Sequence, residues 1–149
     1  MRLFLGLLLY SSSLVYGQEA ALNRLVDEWH KDAALAAFES YFSVTTADFI
    51  FLGTAPGERW EKDDFKKFCK PYFDKGKAWD FKPIDRIWNF SEDLKTAWFD
   101  EGLKTWMEDC RATGICVFKE GRWKIAYYNL HVLVENEKIQ EFISLRKQK

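Results

Sequence analysis

Cysteine, proline and histidine are scarce in this chain: 149 residues include three Cys, three Pro and two His. Each shortage excludes something. Three thiols cannot all pair within one chain, although an exported protein could still form one disulfide. Cys110 and Cys116 stand six apart in what reads as one strand, roughly 20 Å along it and beyond the reach of a bridge. Buried free thiols are therefore expected. Neither the cysteines nor His30 and His131 have partners at metal-ligand spacing, so no metal and no cofactor is expected. Excess positive charge is also missing, with 22 basic against 23 acidic side chains and a net charge of −1. The local basic patch of Lys66, Lys67, Lys70, Lys75 and Lys77 is interleaved with Asp63, Asp64 and Asp74, which suits a solvated helix face. Nucleic acid is not an expected partner. No internal repeat or low-complexity segment is present.

Long apolar runs are limited to the start of the chain. Met1-Arg2 precedes an apolar stretch from Leu3 to Leu9, then Tyr10 to Val15, a small-residue exit at Gly17 and polar Gln18-Glu19. This is the pattern of a signal peptide over residues 1–17, too short to hold a stable membrane span. Cleavage after Gly17 would export residues 18–149 as one domain, secreted or periplasmic, with no membrane association after processing. No Cys follows the apolar stretch to carry a lipid. Asn89-Phe90-Ser91 has the pattern of a glycosylation sequon, of consequence only in a eukaryotic host.

Beyond Glu19, apolar residues recur at helical spacing through Leu22, Leu25, Val26, Trp29, Ala33 and Ala36. The spacing predicts a long amphipathic helix, with a break near Ala34 to Ala37 and a short second helix ending at Tyr41-Phe42. A short buried strand follows over Asp48 to Leu52. A further helix runs from Trp60 to Phe73, with Pro71 ending or kinking it. After Gly76 the periodicity changes to that of strands: Trp79 to Phe90, Thr96 to Met107, Arg111 to Lys119 and Arg122 to Val134, the last two joined by a tight turn at Glu120-Gly121. Glu137 to Lys147 adds a terminal helix. Helices followed by an antiparallel meander define an α+β domain.

Aromatic residues are plentiful, with seven Trp, six Tyr and 13 Phe. Indoles are seldom fully buried, and a buried indole N–H needs a partner, so several should line a cavity or an interface. On the last strand, strict alternation sets Trp123, Ile125, Tyr127, Asn129 and His131 on one face. Pairing Lys119 with Arg122 puts Cys110, Ala112, Gly114, Cys116 and Phe118 on that same face. Small residues opposite large ones leave space in front of Tyr127 and Asn129, although Gly114 equally suits a bend. The preceding hairpin, read through one of two turns open at Glu108-Asp109, adds Phe99, Glu101, Leu103 and Thr105. Arg86, on the strand before, can pair with Glu101 inside the domain or serve as a substrate clamp.

This layout, together with Trp29-His30, Phe51-Leu52-Gly53-Thr54, Lys70-Pro71-Tyr72-Phe73, Gly76 to Phe81, Trp98 to Glu101 and Gly121 to Leu130, resembles the SnoaL-like branch of the nuclear transport factor 2-like superfamily. The resemblance implies a cone-shaped, curved antiparallel sheet wrapped around the N-terminal helices, also described as cystatin-like. It further implies a deep pocket on the concave face and commonly a homodimer through the outer sheet face. It names no single function.

Trp29, Glu101, Tyr127, Asn129 and His131 are the expected ligand-binding residues, and Glu101, His131 and Tyr127 the catalytic candidates. In the ketosteroid isomerases of this superfamily a carboxylate ends the first strand, whereas Leu52-Gly53-Thr54 stands here, and the enolate-binding Tyr is replaced near Trp29. The expected function is an exported pocket protein for a small apolar molecule. The alternatives are an isomerase, cyclase or dehydratase using acid–base residues in the cone, and a structural dimer or accessory module.

Overall fold

The computed structural model describes residues 2–148, with side chains from residue 16 onward. Met1, which opens the expected leader, and Lys149, which ends the expected domain, lie outside the described residues. Helix α1 (Arg2–Ala34) runs unbroken from the expected leader into the predicted amphipathic helix. Its stripe of Leu22, Val26, Trp29 and Ala33 is buried, the spacing of one helix face. The break comes where predicted: Ala36 takes a positive φ of 54°, a conformation no helix can continue through. The short α2 (Phe38–Ser43) then folds back with Tyr41 and Phe42 inward.

Strand β1 (Thr45–Leu52) leads through a turn to β2 (Arg59–Glu61), and α3 (Lys62–Asp74) follows, running past Pro71. The meander comprises β3 (Lys82–Phe90), β4 (Thr96–Thr105), β5 (Glu108–Lys119) and β6 (Arg122–Val132). A 3₁₀ turn at Asn136–Lys138 and α4 (Ile139–Lys147) end the described chain. The six strands form one sheet in the order β2-β1-β6-β5-β4-β3. The antiparallel meander is as predicted. The sheet as a whole is mixed, because β1 lies parallel to β6. The expected α+β cone is this curved sheet with helices against its inner face.

Aromatic side chains fill the space between α1 and the sheet. Trp29 stacks on Tyr41 at 4.8 Å and meets Tyr128 edge-on at 4.8 Å, while Phe51 stacks on Phe65 at 4.1 Å. Such pairs each add about 0.5–1.5 kcal/mol beyond the area they bury. Gly114 serves this packing rather than an open space: a Cβ there would lie 2.4 Å from the Phe99 ring. All three cysteines are buried and free. No helix among the described residues is long and apolar enough to cross a membrane.

Candidate functional site

The site is built around Glu101, which is wholly buried in the middle of β4. Pairing of β3 with β4 places Arg86 directly beside it, and α1 lies across both strands. Arg86 donates through Nε to Glu101 Oε2 at 2.9 Å, with Nη2 at 2.7 Å from the same oxygen. The other carboxylate oxygen, Oε1, accepts from Tyr128 Oη at 3.0 Å and lies 2.8 Å from His30 Nε2. An ionised carboxylate only accepts hydrogen bonds, so His30 carries its proton on Nε2. Its Nδ1 has no protein partner among the described residues and is not sealed from solvent.

Helix α1 completes the network. Asn23, Asp27 and His30 follow one another at i, i+4 and i+7, a single helix face turned toward β3 and β4. Arg86 Nη1 donates to Asp27 Oδ1 at 2.8 Å and to Asn23 Oδ1 at 3.1 Å, and Trp88 Nε1 donates to Asn23 Oδ1 at 2.8 Å. Burial alone would make Glu101 a weaker acid and raise its pKa, but the hydrogen bond from His30 and the Arg86 guanidinium outweigh it and hold the carboxyl below its ordinary range. Tyr128 moves the other way: burial and the adjacent Glu101 charge push its phenol well above the usual value. Glu101 is thus an ionised anchor whose oxygens are taken up by protein donors, and it is poorly suited to abstract a proton itself. Its chemical effect is to orient His30.

His30, 5% exposed, stands at the edge of a cleft of about 510 Å³ between α1 and the approach to β3. Ala34, Leu35, Phe81 and Pro83 give it apolar walls, and Asp27, Lys31, Asp80 and Lys82 stand at its rim. Among the described residues no group of three His, Cys, Asp or Glu side chains is arranged to hold a metal ion.

The structure brings together only part of the site expected from sequence. Glu101 is at its centre, and Trp29 packs beside His30 at 5.4 Å between ring centroids. Tyr127, Asn129 and His131 are placed elsewhere, and the reason is a β-bulge. Cys116 pairs with Ile125 but Ile115 pairs with Tyr127, which leaves Ala126 as an extra residue in β6. One inserted residue reverses every side chain beyond it. Tyr128 and Leu130 therefore face the core, while Tyr127 and Asn129 lie half-buried on the outer face, and His131 is exposed opposite Arg111. The sequence reading of a shared face for Tyr127, Asn129 and His131 with Trp29 is corrected accordingly. Tyr128 and Asp27 were missed. The α1 spacing of Asn23, Asp27 and His30 was the signal for the second of these.

Residues 22–135 match the SnoaL-like domain, and the chain belongs to that family. No curated protein matches it by sequence. Among solved structures it is similar to an NTF2-like protein of unknown function from Pseudomonas putida, with a TM-score of 0.69, 10% identity, and 83% of this chain and 92% of that chain covered. It is also similar to a Novosphingobium aromaticivorans protein provisionally named scytalone dehydratase, with a TM-score of 0.65, 14% identity, and 83% and 89% of the two chains covered. The association domain of C. elegans CaMKII gives a TM-score of 0.64 at 14% identity, with 78% and 97% covered. At these identities the likeness is one of fold.

Proposed function

We propose that the chain is an exported SnoaL-like protein that binds a small, mainly apolar molecule carrying one hydrogen-bonding group. The ligand would lie in the cleft at the mouth of the cone, with His30 as its polar contact. The observation that carries this reading is the His30 imidazole, anchored on Glu101 at 2.8 Å and bordering an apolar-walled cleft. A volume of this size and a single fixed polar group among apolar walls are the usual features of a small-molecule site. Export is supported by the apolar stretch before Gly17 and by the position of the first wholly buried described residue, Leu22, just beyond it. A homodimer through the outer sheet face is supported by the row that register sets side by side across β4, β5 and β6: Trp98, Ile115 and Tyr127.

Native mass spectrometry of protein collected from the exporting host tests the binding reading. A co-purifying organic molecule should be lost when Leu35, exposed at the cleft, is replaced in Leu35→Glu, and retained in Tyr127→Ala. Retention in the first and loss in the second would refute it.

The His30–Glu101 geometry also favours a second reading, acid–base catalysis. A carboxylate that fixes the tautomer of a histidine leaves the opposite nitrogen free to take a proton. In that case His30→Gln abolishes turnover of the bound molecule while binding persists.

A further inference from the structure

We infer that the molecule held in the His30 cleft is neutral and donates a hydrogen bond: a hydroxylated apolar compound, an alcohol or a phenol, whose O–H points at Nδ1 of His30. The inference rests on the binding reading above and names the class of ligand for that same cleft.

Three observations converge on a neutral donor. First, the imidazole is fixed in one tautomer by its neighbours. Glu101 accepts from Arg86 Nε at 2.9 Å and from Tyr128 Oη at 3.0 Å, and this carboxylate, already surrounded by donors, takes the Nε2 proton of His30 as well. A neutral imidazole with its proton on Nε2 keeps a lone pair on Nδ1 and can only accept there. That nitrogen has no protein partner among the described residues and is not sealed from solvent.

Second, the neighbouring polar group on the same helix face is also an acceptor. Asp27 stands one turn before His30 and lines the same cleft; its Oδ1 accepts from Arg86 Nη1 at 2.8 Å, and its Oδ2 has no partner among the described residues. A ketone, ether or carboxylate placed here would set its oxygen lone pairs against both groups and give up its water with no hydrogen bond in return. The ammonium groups that could serve such an oxygen, those of Lys31 and Lys82, stand at the exposed rim and are paired with Glu28 at 3.3 Å and Asp80 at 2.7 Å.

Third, the charges balance. Asp27 and Asp80 face Lys31 and Lys82 around the opening, and behind them the Arg86 guanidinium is matched by the Glu101 carboxylate. Such a rim has no net field to draw in an ion. The apolar walls receive the rest of the skeleton, so the hydroxyl alone sets orientation.

Three probes of similar size test this: 4-ethylphenol, its methyl ether 4-ethylanisole, and 4-methylbenzylamine, which is a cation at neutral pH. Each is titrated calorimetrically into the exported protein freed of any co-purified molecule, and into Leu35→Glu, a substitution at an exposed position that leaves the core untouched. The phenol should bind at least about tenfold more tightly than the ether, shift the Nδ1 resonance of His30, and lose its binding in Leu35→Glu. Ether binding equal to that of the phenol or tighter, and lost in the variant, overturns the donor requirement and leaves the cleft standing. An amine that binds more tightly than the phenol, again only in the unsubstituted protein, overturns the neutral class in the same way. Phenol binding that survives Leu35→Glu, or no binding of any probe up to its solubility limit, overturns the cleft reading and this inference together.

Discussion

His30 and Glu101 are 71 residues apart in the chain and meet at 2.8 Å in the interior. The carboxylate is wholly buried, so it is stable there only because protein donors replace the water it has lost. Arg86 and Tyr128 supply the rest of that shell, and the guanidinium is neutralised in turn by Asp27 at the surface.

The first prediction concerns which link of this chain matters. Glu101→Gln leaves Arg86 buried with its main counter-ion gone and should cost about 3–5 kcal/mol of stability. Asp27 is 57% exposed, so Asp27→Asn should cost at most about 1 kcal/mol. Urea melts of the two variants decide whether the inner or the outer carboxylate holds the network.

A paired substitution checks the bulge. Tyr128→Phe removes a hydrogen bond to a charged, buried acceptor and should cost about 1.5–3 kcal/mol. The neighbouring Tyr127→Phe, on the outer face, should stay within about 0.5 kcal/mol of wild type. The reverse ranking would mean that β6 alternates without interruption.

Gly114 and Gly102 make a similar contrast on adjacent strands. A Cβ at Gly114 would run into the Phe99 ring at 2.4 Å, whereas at Gly102 it would meet Ile84 at 3.8 Å, an ordinary contact. Gly114→Ala should therefore lose about 1–3 kcal/mol through overpacking. Gly102→Ala should be nearly neutral, and thermal melts of both check this.

The pH dependence follows from Glu101. Its carboxyl is held below the ordinary range in the folded protein, so on acidification the unfolded chain takes up this proton first. Its contribution to stability is complete above the unfolded value near 4.5 and is lost as pH falls through the folded value. The stability difference between wild type and Glu101→Gln, followed from neutral to acid pH, should shrink over that window. A difference that stays constant would contradict the assignment.

Much of the fold was legible because it rests on local signals. The α1 stripe, the turn at Glu120-Gly121 and the Lys119–Arg122 pairing follow from periodicity and turn chemistry, and β4 places Phe99, Glu101 and Leu103 inward as its alternation requires. Two features resisted. Arg59–Glu61 is a three-residue strand with no period to detect, and the parallel pairing of β1 with β6 joins distant segments with no local mark. The site failed at one residue. Ala126, small and unremarkable in sequence, is where the bulge falls, so the polar face of Tyr127, Asn129 and His131 was assigned to the wrong side. Glu101 faces the core, as alternation requires, because no bulge interrupts β4.

The two histidines provide the most direct test of the proposed site, since the chain has no others and they stand on opposite sides of the sheet. With ring nitrogens labelled, the resonances of each imidazole can be followed while the co-purified molecule is removed and restored. The account predicts that His30 keeps its proton on Nε2 throughout, that its Nδ1 signal shifts on binding, and that His131 does not respond. A shift at His131 with His30 unchanged would place the ligand on the outer face and contradict the mouth of the cone as the binding site.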